Sequence, residues 1–163
     1  MLNFSKYFIS IFFLMPLIGD AQPTDPIDTI LKMAKQPKGV LFEISEHKQS
    51  DIMWAVDTIN NGSKRLRKRF PNLKIVVISH GEEMFALTKT RKKQFPKVHS
   101  LMQLMDEQNI SLQVCATQAG WQHKTQSDFP DFIQLVESAP EQIQFYEDLG
   151  YILIEVTQPS VKP

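Results

Sequence analysis

The stretch "KIVVISHG", residues 74–81, decides the fold. Ile75 to Ile78 are four consecutive β-branched residues with no alternation of polar and apolar character. A strand with one wet face alternates. An unbroken run belongs to a strand buried on both faces, as in a parallel sheet covered by helices. Four other segments fit the same sheet: "GVLFEIS" (39–45), "ISLQV" (110–114), the weaker "FIQLVE" (132–137) and the closing "YILIEV" (151–156). Each is short and rich in branched or aromatic residues, as strands are.

Helical patterns fill the gaps. Ile52, Val56, Ile59, Leu66 and Phe70 repeat on one face of a helix over residues 51–70, with Ser50 placed to cap it. Asn61 and Gly62 weaken its middle, since an interior glycine costs about 1 kcal/mol. Lys64, Arg65, Arg67, Lys68 and Arg69 close it, where cations suit the negative end of the helix dipole. Glu82 to Thr88 reads as a short helix and "RKKQFPK" (91–97) as a basic loop. Val98, Leu101, Met102 and Met105 mark an amphipathic helix ending near Asn109, and a short helix runs from Ala116 to about His123. "SAPEQ" (138–142) starts another, with Ser138 as cap, Pro140 just inside and Glu141 in the capping-box place; Gly150 ends it. Strand and helix in alternation predict an α/β fold: a three-layer α/β/α sandwich around a mostly parallel five-stranded sheet.

The domain therefore spans residues 38–157, with a tail at 158–163. Residues 22–37 hold three prolines and read as a linker with one helical turn. Residues 1–21 read as a secretory signal peptide: Lys6, an apolar run from Tyr7 to Ile18, then small residues at Gly19 and Ala21. The run is short of the roughly 20 residues that span a bilayer, so the expected location is periplasmic or secreted, with no membrane attachment after cleavage. The 18 basic and 18 acidic residues balance, which points away from nucleic acid and membrane surfaces as partners. They are segregated, however. Residues 60–100 carry eleven Lys or Arg and two Glu, whereas residues 101–156 carry nine acidic residues and one Lys. Such separation reads either as two solvated faces or as surfaces that dock.

Cys115 is the only cysteine, so no internal disulfide exists, and the thiol is inert, intermolecular or chemically used. It follows the third strand directly, at the carboxyl edge where ligands of open parallel sheets bind. A helix start there offers free N–H groups that favour a thiolate. A buried packing role is the alternative. His80, at the end of the second strand, is the histidine placed to act as a base or a ligand; His80 and Lys124 are candidate neighbours of the thiol. His47, His99 and His123 fall in loops or on polar faces, and Trp54 and Trp121 read as core or interface residues. No His-x-x-His or Cys-x-x-Cys pair is present and "SHGEEMFALTK" lacks phosphate-loop spacing, so no metal or cofactor is expected.

These residues resemble the DsrE/DsrF-like family of small sulfur-relay proteins, in particular its exported members. The resemblance covers residues 38–156. It rests on "GVLFEIS", "WAVDTINN", "IVVISHG", "LMDEQNISLQVCATQ" and "SAPEQIQFYEDLGYILIEV", in that order. It implies the same three-layer α/β sandwich, a persulfide carried at Cys115, assembly into a homotrimer or hexamer, and a protein partner that donates or accepts sulfur. The residues after Cys115 lack the basic pair of some relay subunits, and export separates the chain from cytoplasmic carriers. The reading at this stage is an exported sulfur-handling protein. A non-catalytic oligomeric binding module of the same fold is the alternative.

The mature chain is expected to begin at Gln22. Mass spectrometry of exported material should find that N-terminus, and retention of Met1 would contradict cleavage.

Overall fold

The computed structural model describes residues 25–158. The segment expected to be a signal peptide, its expected cleavage site and the last five residues lie outside them. Five strands form one sheet: β1 (Gly39–Ile44), β2 (Ile75–Ser79), β3 (Ile110–Cys115), β4 (Ile133–Val136) and β5 (Tyr151–Glu155). Their order is β4-β3-β2-β1-β5 and every pairing is parallel, so the sheet is wholly and not mostly parallel. β2 is buried at all of its residues, as its unbroken apolar run requires.

Right-handed crossovers explain the layers. From β1 to β4 the chain steps one way across the sheet, so α2 (Ile52–Arg69), α3 (Pro96–Glu107) and α4 (Ala116–Trp121) share one face. Their buried residues, among them Ile59, Leu66, Met102 and Ala119, join Val40, Phe42, Ile75 and Val77 in the main core. From β4 to β5 the chain steps back, which puts α5 (Ala139–Asp148) on the opposite face. There Ala139 and Ile143 cover Leu41, Val76, Ile78 and Cys115 in a second, smaller core.

Within the expected linker, the described residues 25–37 include the helical turn, and it packs on the domain. Asp25 caps α1 (Pro26–Leu31), accepting from the Ile27 N–H at 2.9 Å, and Ile27 and Ile30 are buried in the main core. Ile27 packs closely over Gly62, where a Cβ would displace the tip of the Ile27 side chain. Arg65 clamps α1 through Asp25 at 3.1 Å and through Asp28. Arg67 donates to the Gln108 and Asn109 carbonyls beyond α3. The basic end of α2 thus ties two neighbouring segments, besides facing its own helix dipole.

Two expected caps differ. A 3-10 turn, Gln49–Asp51, leads into α2, and the Ser50 hydroxyl donates to Asp51 Oδ1 instead of capping the helix. Ser138 occupies the N-cap position of α5 without a side-chain bond; only its carbonyl engages the helix, from Gln142 N–H at 3.0 Å. The short helix expected over Glu82 to Thr88 is present as a 3-10 helix, Glu82–Leu87, and a further 3-10 turn, Lys89–Arg91, leads into the basic loop. Gly150 does follow α5, at φ 83°.

Val77 is 1% exposed, on β2 between β1 and β3. Val77→Asp should leave no folded protein, because an unpaired buried carboxylate costs several kcal/mol against a domain stability of about 5–15 kcal/mol. A soluble variant with unchanged melting would contradict the burial of that strand.

Candidate functional site

The carboxyl edge of the sheet is held by one side chain that sequence reasoning did not single out. Glu83 is fully buried. Its Oε1 accepts from the Ser79 hydroxyl at 2.7 Å and the Gly81 N–H at 3.1 Å; its Oε2 accepts from the Glu46 N–H at 2.7 Å. One carboxyl group therefore joins the end of β2 to the loop after β1. The Glu46 carbonyl completes the clasp by accepting from the Glu82 N–H at 2.8 Å. Gly81 has to be glycine here, since a Cβ would overlap both the Glu83 carboxylate and the Glu46 backbone. Burial pushes the Glu83 carboxyl above the ordinary glutamate value, and the three hydrogen bonds pull only partly the other way.

His80 projects from this clasp. Its backbone N–H donates to the Ile44 carbonyl at 3.0 Å, and its Nε2 lies 2.8 Å from Glu43 Oε1. Both side chains are one-fifth exposed, so the pair is neither solvated nor sealed. Glu43 was legible in one respect: it is the lone charge inside the apolar run "GVLFEIS". Glu155 aligns with Glu43 across β1 and β5. The two carboxylates, with Ser45, Val156 and Thr157, line a crevice of about 320 Å³ where the strand order reverses.

Cys115 is the last residue of β3 and the N-cap residue of α4. It is 5% exposed and packs beneath Ala139 and Ile143 of α5. The register pairs Ser79 with Val114, so His80 and Cys115 end adjacent strands at the same level. The His80 imidazole nevertheless bonds across to β1, and the described hydrogen bonds do not join it to the thiol. Lys124 is turned away, 3.5 Å from Asp128 Oδ1. The expected N–H cradle is reduced as well, because the Thr117 N–H and hydroxyl both donate to the Glu137 carbonyl. Gln113, on the same sheet face as Cys115, donates to Tyr146 Oη at 3.0 Å and leaves its own carbonyl oxygen buried without a partner among the described residues.

His99 departs from its expected polar placement. It is buried, with Nε2 3.1 Å from the Ala86 carbonyl, and burial lowers its pKa. Trp121 is 73% exposed beside the site, whereas Trp54 packs against the main core. Among the described residues no group of three His, Cys, Asp or Glu converges as a metal site would need, and no helix is long and apolar enough to cross a membrane.

No protein-family model matches the chain, and no curated protein matches it. Among solved structures it is similar to the protein of unknown function MTH1491 from Methanobacterium thermoautotrophicum. That likeness has a TM-score of 0.58 and 16% identity, over 71% of this chain and 96% of that one. At such identity it is a likeness of fold alone.

Glu83→Ala should cost about 2–4 kcal/mol, since it strands two backbone N–H groups and a hydroxyl. The wild-type protein should also carry a pH signature. A carboxyl raised in the folded state keeps a proton the unfolded chain releases, so its stabilisation is complete below the ordinary 4.5 and is lost as pH rises through the folded value. Denaturant midpoints measured across that window should show the slope in wild type and lose this component in Glu83→Gln. Identical slopes would contradict the burial assigned to Glu83.

Proposed function

We propose that this chain is an exported DsrE/DsrF-like protein that handles sulfane sulfur, with Cys115 as the acceptor and His80 as the neighbouring base. The observation that carries this reading is the position of the single thiol. It ends a central strand at the carboxyl edge of an all-parallel sheet, level with a histidine already paired to a carboxylate. A thiol used only for packing needs no such edge.

The transfer itself is balanced without a redox partner. A donor persulfide R–S–SH gives its outer sulfur to the Cys115 thiolate; the S–S bond of the donor breaks, a new S–S bond forms at Cys115 Sγ, and R–S⁻ leaves with the electron pair. One proton moves from the Cys115 thiol to the departing thiolate. His80, which ends the adjacent strand at the same level, would relay it once its ring leaves Glu43 and turns to the thiol. Because α5 covers Cys115, the donor reaches it only when the start of that helix shifts. Assembly into a homotrimer or hexamer and a sulfur-donating or sulfur-accepting protein partner belong to the same proposal. The separated basic and acidic segments support docking of this kind.

A second reading is favoured by the burial of Cys115 at 5% exposure and by Phe145 and Leu149, which stand about half exposed on α5. In it the chain is an oligomeric binding module and the thiol only packs.

Intact mass after incubation with polysulfide separates the two. The wild-type protein should gain one sulfur atom, Cys115→Ser should gain none while melting as wild type does, and His80→Ala should gain it more slowly. An unreactive native thiol with no mass gain would leave the binding module standing.

A further inference from the structure

The loops after β1 and β2 and the turn after α4 border an open cavity of about 320 Å³ that Cys115 does not line. Its walls are Gln49, Thr88, Thr90, Gln122, Arg91 and Lys124, with Phe85 the only apolar residue. No carboxylate lines it. Two cations from distant parts of the chain therefore converge with hydroxyl and amide groups at the sheet edge where ligands of this fold class bind.

The donors are only partly committed. Arg91 has five N–H groups, and its described hydrogen bond is from Nη1 to Gln94 Oε1 at 2.8 Å. Lys124 Nζ stands 3.5 Å from Asp128 Oδ1, a loose contact for an ammonium group. The Thr88 hydroxyl donates to the Phe85 carbonyl, so in its 3.3 Å contact with Thr90 Oγ1 it is the acceptor and Thr90 the donor. The Gln122 amide reaches Glu82 at 3.0 Å outside the lining.

We propose that this cavity binds a small doubly charged oxyanion of the phosphate, sulfate or thiosulfate class. Arg91 supplies a planar donor pair and Lys124 a second positive charge. The site is separate from Cys115, so it stands or falls apart from the sulfur-acceptor reading.

The test is an NMR titration of the mature chain with phosphate, sulfate, thiosulfate and acetate at matched ionic strength. The oxyanions should produce saturable shifts at the amides of residues 88–91 and 122–124, with acetate much weaker. Arg91→Gln and Lys124→Gln should each weaken binding about tenfold, the worth of one charge-assisted hydrogen bond. Lys93→Gln, the same charge change outside the cavity, and Cys115→Ser should bind as wild type does. The proposal is overturned if no shift saturates, if acetate binds equally well, if both cavity variants keep their affinity, or if Lys93→Gln loses as much as they do.

Discussion

The carboxyl edge of this sheet depends on a buried carboxyl group. Glu83 lies away from water, where an ionised group is expensive, and it is kept there by three donors that come from two different strand ends. Its loss would leave the loop after β1 and the turn after β2 without their common acceptor. His80 follows from that arrangement, since its backbone is zipped to Ile44 and its ring lies against Glu43. The stability of the domain and the geometry of its candidate site thus meet in one side chain.

Topology sets the rest. Four strands laid down in one direction put their helices on one face, and the single return step leaves α5 alone on the other. Cys115 points into the thinner layer, beneath Ala139 and Ile143. It is therefore nearly covered, yet by one helix whose first turn has no side-chain cap. A local shift of that one helix would uncover the thiol, whereas a residue in the main core would need a larger opening.

Much of the fold was legible because its signals are local. The run Ile75 to Ile78 announced a central parallel strand, and Ile52, Val56, Ile59 and Leu66 announced the inner face of α2. What was not legible depends on distant partners. α1 hides in a proline-rich segment, and Ile27 packs over Gly62, which a local reading counts only as a helix weakness. Ser138 has the sequence of a capping box, but the helix engages its carbonyl alone. Cys115 and His80 were found at the edge because each follows a strand directly. Glu43 left one signal, as a lone charge in a strand, and Glu83 left none: a second glutamate beside Glu82 reads as surface until the Glu46 and Gly81 N–H groups are seen to converge on it.

The claim that Glu83 organises the edge is tested most directly by native-state hydrogen exchange at the Glu46 amide. Glu46 lies in a loop, outside any ladder, so without the clasp its N–H would exchange as fast as its neighbours at His47 and Lys48. The account predicts strong protection of Glu46 and Gly81 in the wild-type protein, and its loss at both amides in Glu83→Ala while β3 amides stay protected. Rapid exchange of Glu46 in the wild-type protein, or protection that survives Glu83→Ala, would contradict it.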